Sequence, residues 1–157
     1  NIVAMLIAFL ALITLANYLI GLAFPDVTLQ WVFGKLFAPV AVLMGVDTGD
    51  VPKVGELLGI KLILNEFLAF QEMTKNYQPG TPGGMTDRSY QLATYALTGF
   101  ANVGSIGIQL GGIGALPRDP SEQAALRAKL ARLGPVALFG GFLATLINAA
   151  VAGVILG

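Results

Sequence analysis

Residues 2–24 form an apolar run that is as long as a lipid bilayer is thick. The run contains no charged side chain, and Thr14 and Asn17 are its clearly polar residues. A helix rises 1.5 Å per residue, so these residues reach about 34 Å, against roughly 30 Å for the hydrocarbon core of a membrane. The sequence therefore predicts a transmembrane helix over this range, which ends at Pro25 and Asp26.

The composition of the whole chain is typical of a membrane protein. Apolar residues make up 55% and charged residues 11% of the chain, whereas an ordinary soluble domain has about 25% charged residues. The formal net charge is zero, which argues against a nucleic-acid partner. The absence of cysteine and histidine excludes disulfides, thiolate chemistry and most zinc sites. We therefore expect no cofactor and no metal site in these residues.

The beginning of the chain lacks the features of a secretory leader. It opens at Asn1 without an initiator methionine, and neither a basic start nor a small-residue cleavage site precedes the apolar run. We therefore expect the sequence to be a fragment of a longer polypeptide.

A second apolar region is interrupted by residues that suit lipid poorly. Residues 29–46 contain Lys35, Pro39 and Gly45. This mixture favours a helix that lies at the membrane interface, or that is packed inside the protein, over a lipid-facing span.

Residues 51–75 consist of two short apolar pieces, about 54–64 and 67–70, on either side of Asn65 and Glu66. Each piece is too short to cross a bilayer. We predict a re-entrant hairpin, which enters and leaves the membrane on one face, with Asn65 and Glu66 at or near its tip. One tilted span that carries a buried charge is the alternative.

Glu66 is the strongest single candidate for a functional residue. A carboxylate at membrane depth is costly and is retained when it is paired or used. The functional interpretation is an acceptor for the hydroxyl groups of a polar solute. The structural alternatives are a salt bridge to the nearby Lys61 or a position in the headgroup region.

A glycine-rich stretch, Gly99–Gly114, lies inside an apolar segment of roughly 90–116. It carries six glycines together with Asn102 and Ser105, which share one face of an intact helix. Glycine permits unwinding, and polar groups at membrane depth are tolerated where they face protein or a wet cavity. The stretch predicts a broken helix that binds a solute, with Phe100 placed to stack on a planar ring. Helix packing and interhelical hydrogen bonds are the alternative.

The remaining segments predict two loops and a last span. Residues 76–88 form an exposed loop that is rich in glycine and proline, and residues 117–132 form a cytoplasmic loop with four basic residues. Residues 134–157 form the last transmembrane helix, in which small residues permit close packing.

Enzyme motifs are absent from the sequence. Gly111–Gly114 lacks the Lys-Ser/Thr of a phosphate-binding loop, and Ser105 has no histidine to act as its base. The apolar segments contain no pair of aspartates. We therefore expect that the protein is not an enzyme.

Two motifs follow one another along the chain. Lys61–Phe67 contains Asn-Glu-Phe, and Ala96–Ile108 contains Gly-Phe-Ala-Asn-x-x-Ser. Together with Leu130–Gly134 and Ala150–Gly153, they resemble the C-terminal half of the concentrative nucleoside transporters, and the resemblance covers nearly the whole chain.

The resemblance implies which residues bind the solute. In that family the glutamate of the first motif contacts the ribose from the second re-entrant hairpin, which corresponds to Glu66. The asparagine and the serine of the second motif also contact the ribose, and the phenylalanine lies near the solute. The implied substrate-binding residues are therefore Glu66, Asn102, Ser105 and Phe100.

The resemblance also implies an architecture and an activity. The chain is expected to be all-α and integral to the membrane, and to form half of an inverted-repeat transporter. Residues 1–24 correspond to a scaffold helix and residues 25–157 to part of the transport domain. The family carries out nucleoside symport, driven by sodium or protons, by alternating access. It works as a homotrimer in the plasma membrane, which in bacteria is the inner membrane.

Other features of the family belong to its N-terminal half, which this sequence does not contain. These are the hairpin that reads the base and the positions that bind the coupling ion. Two alternatives to an active transporter stay open, namely a non-transporting membrane subunit and a passive channel, in which the glycines serve helix packing.

Overall fold

The computed structural model describes residues 2–157, with the side chains of residues 2–6, 8–10, 13 and 30 left out of the description. This part of the chain is helical and contains no strand, which confirms the all-α prediction. The helices are α1 (Ile2–Ala23), α2 (Leu29–Leu43), α3 (Val51–Ile63), α4 (Glu66–Asn76), α5 (Asp87–Leu97), α6 (Val103–Gly112) and α7 (Pro120–Ile155), with a 3₁₀ turn at Ile113–Ala115.

Among the residues whose side chains are described, one helix, α7, is long and apolar enough to cross a membrane. Thr14–Ala23, Trp31–Leu43 and Val103–Ala115 are shorter apolar helical stretches. The first of these is the end of α1. Most of the earlier side chains of α1, and the whole of Asn1, lie outside the part of the chain that the structure describes. The predicted helix over residues 2–24 is thus present from Ile2, and its crossing of a bilayer stays a prediction.

Short polar side chains explain where most helices begin. A side-chain oxygen of the residue before the helix accepts a hydrogen bond from a free backbone N–H of the first turn, which is a favoured way to start a helix. The capping residues are Thr28 for α2, Asn65 for α4, Thr86 for α5, Asn102 for α6 and Asp119 for α7.

Helices α3 and α4 form a hairpin that turns at Leu64 and Asn65. The turn is closed by Asn65, whose amide oxygen accepts from the backbone N–H of Leu68 at 2.9 Å. Near the open end, the hydroxyl of Tyr77 donates to Glu56 at 2.8 Å. The chain therefore folds back on itself here, and the alternative of one tilted span is wrong. Entry of this hairpin into a membrane from one face stays a prediction.

The core lies where α3 meets α2, α4, α5 and α7. Its largest fully buried apolar side chains are Leu57, Leu58, Met73, Leu92 and Leu97. Helices α2 and α3 approach one another closely because glycines meet at their crossing, where a Cβ on Gly55 would collide with the backbone oxygen of Gly34. This close crossing fixes the position of α3, which leads into the hairpin turn.

The glycine-rich segment is broken, as predicted, but only at its beginning. Helix α5 ends at Leu97, residues 98–102 are not helical, and α6 begins at Val103. The later glycines of this stretch, Gly104 to Gly114, all lie in α6 or in the 3₁₀ turn. The break therefore follows from Gly99 and from the helix cap at Asn102 rather than from the glycine content of the whole stretch.

Helix α7 begins at Pro120, well before the predicted start at about residue 134. The predicted loop over 117–132 is therefore wrong from Pro120 onward. Asp119 caps the helix by accepting from the backbone N–H of Ser121 at 2.7 Å. Proline is favoured in the first turn, and the alanines, leucines and basic residues that follow are strong helix formers. The helix continues through Pro135.

Candidate functional site

The start of α4 and the start of α6 meet at a pair of polar side chains. Glu66 is the first residue of α4, and Asn102 caps α6. The amide nitrogen Nδ2 of Asn102 donates to Oε2 of Glu66 at 3.2 Å. Asn102 is buried and Glu66 is half-buried, so the carboxylate keeps an open side. The structure thus brings together two residues that are far apart in the sequence.

The pair lies where two helices begin. The N-terminus of a helix carries a partial positive charge and several backbone N–H groups without partners inside the helix. Glu66 lies in the first turn of α4 and contacts the cap of α6, so its carboxylate faces the amino ends of two helices. The carboxylate can accept hydrogen bonds from the hydroxyl groups of a solute on its open side.

Ser105 donates two hydrogen bonds to Asn102 at the start of α6. The backbone N–H of Ser105 donates to Oδ1 of Asn102 at 2.8 Å, and its hydroxyl donates to the backbone oxygen of Asn102 at 2.6 Å. Ser105 is buried. Because its hydrogen is used within the protein, the hydroxyl of Ser105 offers a solute lone pairs alone.

Phe100 and Ser105 line a cavity between α6 and α7. The cavity has a volume of about 90 Å³, and Gln109, Gly134 and Gly141 also line it. Phe100 is 59% exposed, so its side chain is accessible for stacking. The four residues predicted to bind substrate form a connected series, in which Glu66 contacts Asn102, Asn102 contacts Ser105, and Ser105 shares the cavity with Phe100.

Lys61 does not form an ion pair with Glu66, which removes one structural alternative for that carboxylate. Its ammonium donates to the backbone oxygen of Ala96 and to the hydroxyl of Thr145. Within the described part of the chain, the ion pair is Lys53 with Asp50, at 2.8 Å. From the sequence, Lys61 was considered as a partner of Glu66, and Thr145 was missed. The signal that could have identified Lys61 is its position inside an apolar run.

A second polar cluster, at the far end of α3, has a structural role. Asp50 accepts from the ammonium of Lys53 and, at 2.9 Å, from the backbone N–H of Thr86. Burial alone would raise the pKa of the Asp50 carboxyl, but these hydrogen bonds, one from Ser89 and the charge of Lys53 hold that pKa below its usual value. The cluster attaches the loop after α4 to the start of α3. Among the described residues, no group of acidic side chains is arranged to hold a metal ion.

Comparisons with known proteins gave matches over almost the whole chain. A family model described as "Na+ dependent nucleoside transporter C-terminus" matches residues 1–153. The chain is 40% identical over 163 residues to an "Uncharacterized transporter" of Haemophilus influenzae, covering 100% of this chain and 38% of that protein. It is 39% identical over 173 residues to "Sodium/nucleoside cotransporter 1" of Homo sapiens, covering 99% of this chain and 25% of that protein.

Solved structures gave a similar result. The fold is similar to that of CNTnw in an inward-facing substrate-bound state, with a TM-score of 0.83 and 37% identity, covering 97% of this chain and 35% of that chain. The chain therefore spans well under half the length of the relatives that it matches.

Proposed function

Since the chain belongs to the Na⁺-dependent nucleoside transporter family, we propose that it is the C-terminal part of a secondary active transporter of nucleosides. Its membership confirms the resemblance carried by the two sequence motifs. The observation that best supports a solute site is the hydrogen bond between Asn102 and Glu66, because it places an open carboxylate where two helices begin.

The geometry supports recognition of a sugar by its hydroxyl groups. Glu66 accepts hydrogen bonds from hydroxyls on its open side, and Ser105 accepts one from the side of the cavity. The amide of Asn102 has a second N–H, which donates to a sugar oxygen. Phe100 stacks on the base through its exposed ring. A site built on such hydrogen bonds rejects analogues that lack a hydroxyl, because its own buried groups are then left without partners.

The wider mechanism of the proposal follows the family. The hairpin of α3 and α4 and the broken helix of α5 and α6 belong to the transport domain, and α1 belongs to the scaffold. The hairpin is re-entrant, and the chain is half of an inverted repeat. The protein is a homotrimer in the plasma membrane and moves its site between the two sides with sodium or protons as the coupling ion. The residues that bind this ion lie in the N-terminal half.

Uptake of labelled uridine into proteoliposomes tests the proposal with the full-length parent protein. Accumulation above equilibrium that an ionophore abolishes supports ion-coupled transport. Flux that stops at equilibrium supports a passive channel. No flux supports a non-transporting subunit, an alternative favoured by the glycines of α7 that pack against α6 and against the break.

A further inference from the structure

Lys61 is a charged residue in the interior of the protein. Its side chain has an exposure of 0%. The ammonium nitrogen Nζ donates to the backbone oxygen of Ala96 at 2.6 Å and to Oγ1 of Thr145 at 2.8 Å, and it lies 5.3 Å from the centre of the Phe142 ring. Lysine is almost never fully buried without partners, so these contacts explain how the charge is tolerated.

The acceptors of Lys61 belong to the break between α5 and α6 and to α7. Ala96 is next to the last residue of α5, and the last carbonyls of a helix have no partners within the helix and carry a partial negative charge. Thr145 donates its own hydrogen to the backbone oxygen of Phe142 at 2.8 Å, so its oxygen is free to accept from Lys61. The ammonium therefore joins the carboxyl end of α5 to the C-terminal half of α7.

On the other side of the break, the start of α6 contacts a negative charge that comes from the same hairpin. Lys61 precedes the turn at Leu64 and Asn65, and Glu66 follows it. Glu66 contacts Asn102 at the amino end of α6. One hairpin turn thus gives a cation to the negative end of α5 and a carboxylate to the positive end of α6, and each charge matches the helix end that it meets.

The junction around Lys61 packs closely against the break at Gly99. A Cβ on Gly99 would collide with Cγ2 of Thr145 and would lie 3.6 Å from Nζ of Lys61. Close packing of this kind holds a backbone in one position because any shift produces overlap or a void. Gly99 is therefore held by Lys61 and Thr145, the same two side chains that hold the end of α5.

We propose that Lys61 is a positioning residue for the solute site, an inference that rests on the proposed function. Its ammonium fixes the end of α5 against α7, and so fixes the break at the place where Asn102 meets Glu66. Lys61 itself does not contact the nucleoside.

The test compares Lys61→Met with Lys35→Met in the full-length protein. Methionine keeps the unbranched stem and removes the charge and the donors. Lys35 is the matched control, because it is an exposed lysine whose ammonium lies over the ring of Trp31, away from the break. Thr145→Val is a second variant, which removes one acceptor of Lys61 with little change of shape and remains available if Lys61→Met does not fold.

Two measurements distinguish positioning from a general structural role. The first is hydrogen–deuterium exchange of residues 98–105 without ligand, which we expect to become about tenfold faster in Lys61→Met, less so in Thr145→Val, and unchanged in Lys35→Met. The second is uridine affinity in a double-mutant cycle of Lys61→Met with Glu66→Gln. If Lys61 acts by placing the carboxylate, each single variant loses about tenfold and the double variant loses little more than either.

The outcomes separate this inference from the proposed function. Unchanged exchange in both Lys61→Met and Thr145→Val overturns the inference, as do losses of affinity that multiply in the double variant. A wild-type protein that binds no nucleoside refutes the proposed function. Normal binding by the wild type together with unchanged exchange in the variants refutes the inference alone.

Discussion

Replacement of Asn102 can separate the two contacts of its side chain. The amide oxygen caps α6, and the amide nitrogen donates to Glu66 at 3.2 Å. Asn102→Ser keeps an oxygen that caps helices well, but its hydroxyl is too short to reach Glu66. Asn102→Ala removes both contacts. The two variants together therefore assign a measured loss either to the cap or to the contact with the carboxylate.

Stability and affinity are expected to respond differently to these changes. Loss of the cap makes Asn102→Ala less stable than Asn102→Ser by about 1 kcal/mol. Both variants lose a hydrogen bond to a carboxylate, which is worth about 1.5 kcal/mol here, at the lower end for charged partners because Glu66 is half-buried. In the proposed site the same amide orients Glu66 toward the solute, so nucleoside affinity is expected to fall about tenfold in both variants.

Uridine titration calorimetry and unfolding in detergent measure these two quantities on the full-length protein. Asn76→Ser and Asn76→Ala are the controls, since Asn76 also donates to a glutamate, Glu72, but at an exposed place at the end of α4. A folded Asn102→Ser with wild-type affinity would refute the argument that its amide serves the site. Equal free energies of unfolding for Asn102→Ser and Asn102→Ala would refute the argument that the side chain stabilises α6.

Three further predictions concern Glu66, Ser105 and Asp50. Glu66→Gln keeps the shape but loses the charged acceptor, so calorimetric uridine affinity is expected to fall at least about tenfold, and wild-type affinity in the folded variant would contradict ribose binding by Glu66. Ser105→Ala removes a neutral acceptor and is expected to cost less. Affinities of wild type and Ser105→Ala for a nucleoside and its deoxy analogue give the coupling, and a coupling of zero would mean that Ser105 is only structural. The pKa of Asp50 is lowered in the folded protein, so its stabilisation is complete above the pKa of an unfolded aspartate, about 3.9, and is lost as the pH falls through the folded value. Unfolding midpoints should therefore decline less steeply with acid in Asp50→Asn than in the wild type, and parallel curves would contradict this sign.

The sequence allowed the helices and the break to be predicted, but not where they meet. The turn at Asn65 and the break near Gly99 could be predicted because polar residues and glycines interrupt apolar runs that would otherwise be helical. The start of α7 at Pro120 was missed because a cluster of basic residues was interpreted as a loop, although the same residues are strong helix formers. That Glu66 belongs with Asn102 came from the family resemblance. The partners of Lys61 depend on the crossing of α3, α5 and α7, which local patterns do not encode.

The hydrogen bond from the Ser105 hydroxyl to Asn102 has a consequence for the selectivity of the proposed site. The hydroxyl of Ser105 gives its hydrogen to Asn102, and Glu66 as a carboxylate has no hydrogen to give. Both residues therefore accept a hydrogen bond from a sugar hydroxyl and cannot donate one to its oxygen. A methyl ether keeps the oxygen of the hydroxyl and loses the hydrogen, and it also adds a carbon that needs space. At these two residues the proposed site distinguishes a free hydroxyl from its methyl ether at least as sharply as from a missing hydroxyl.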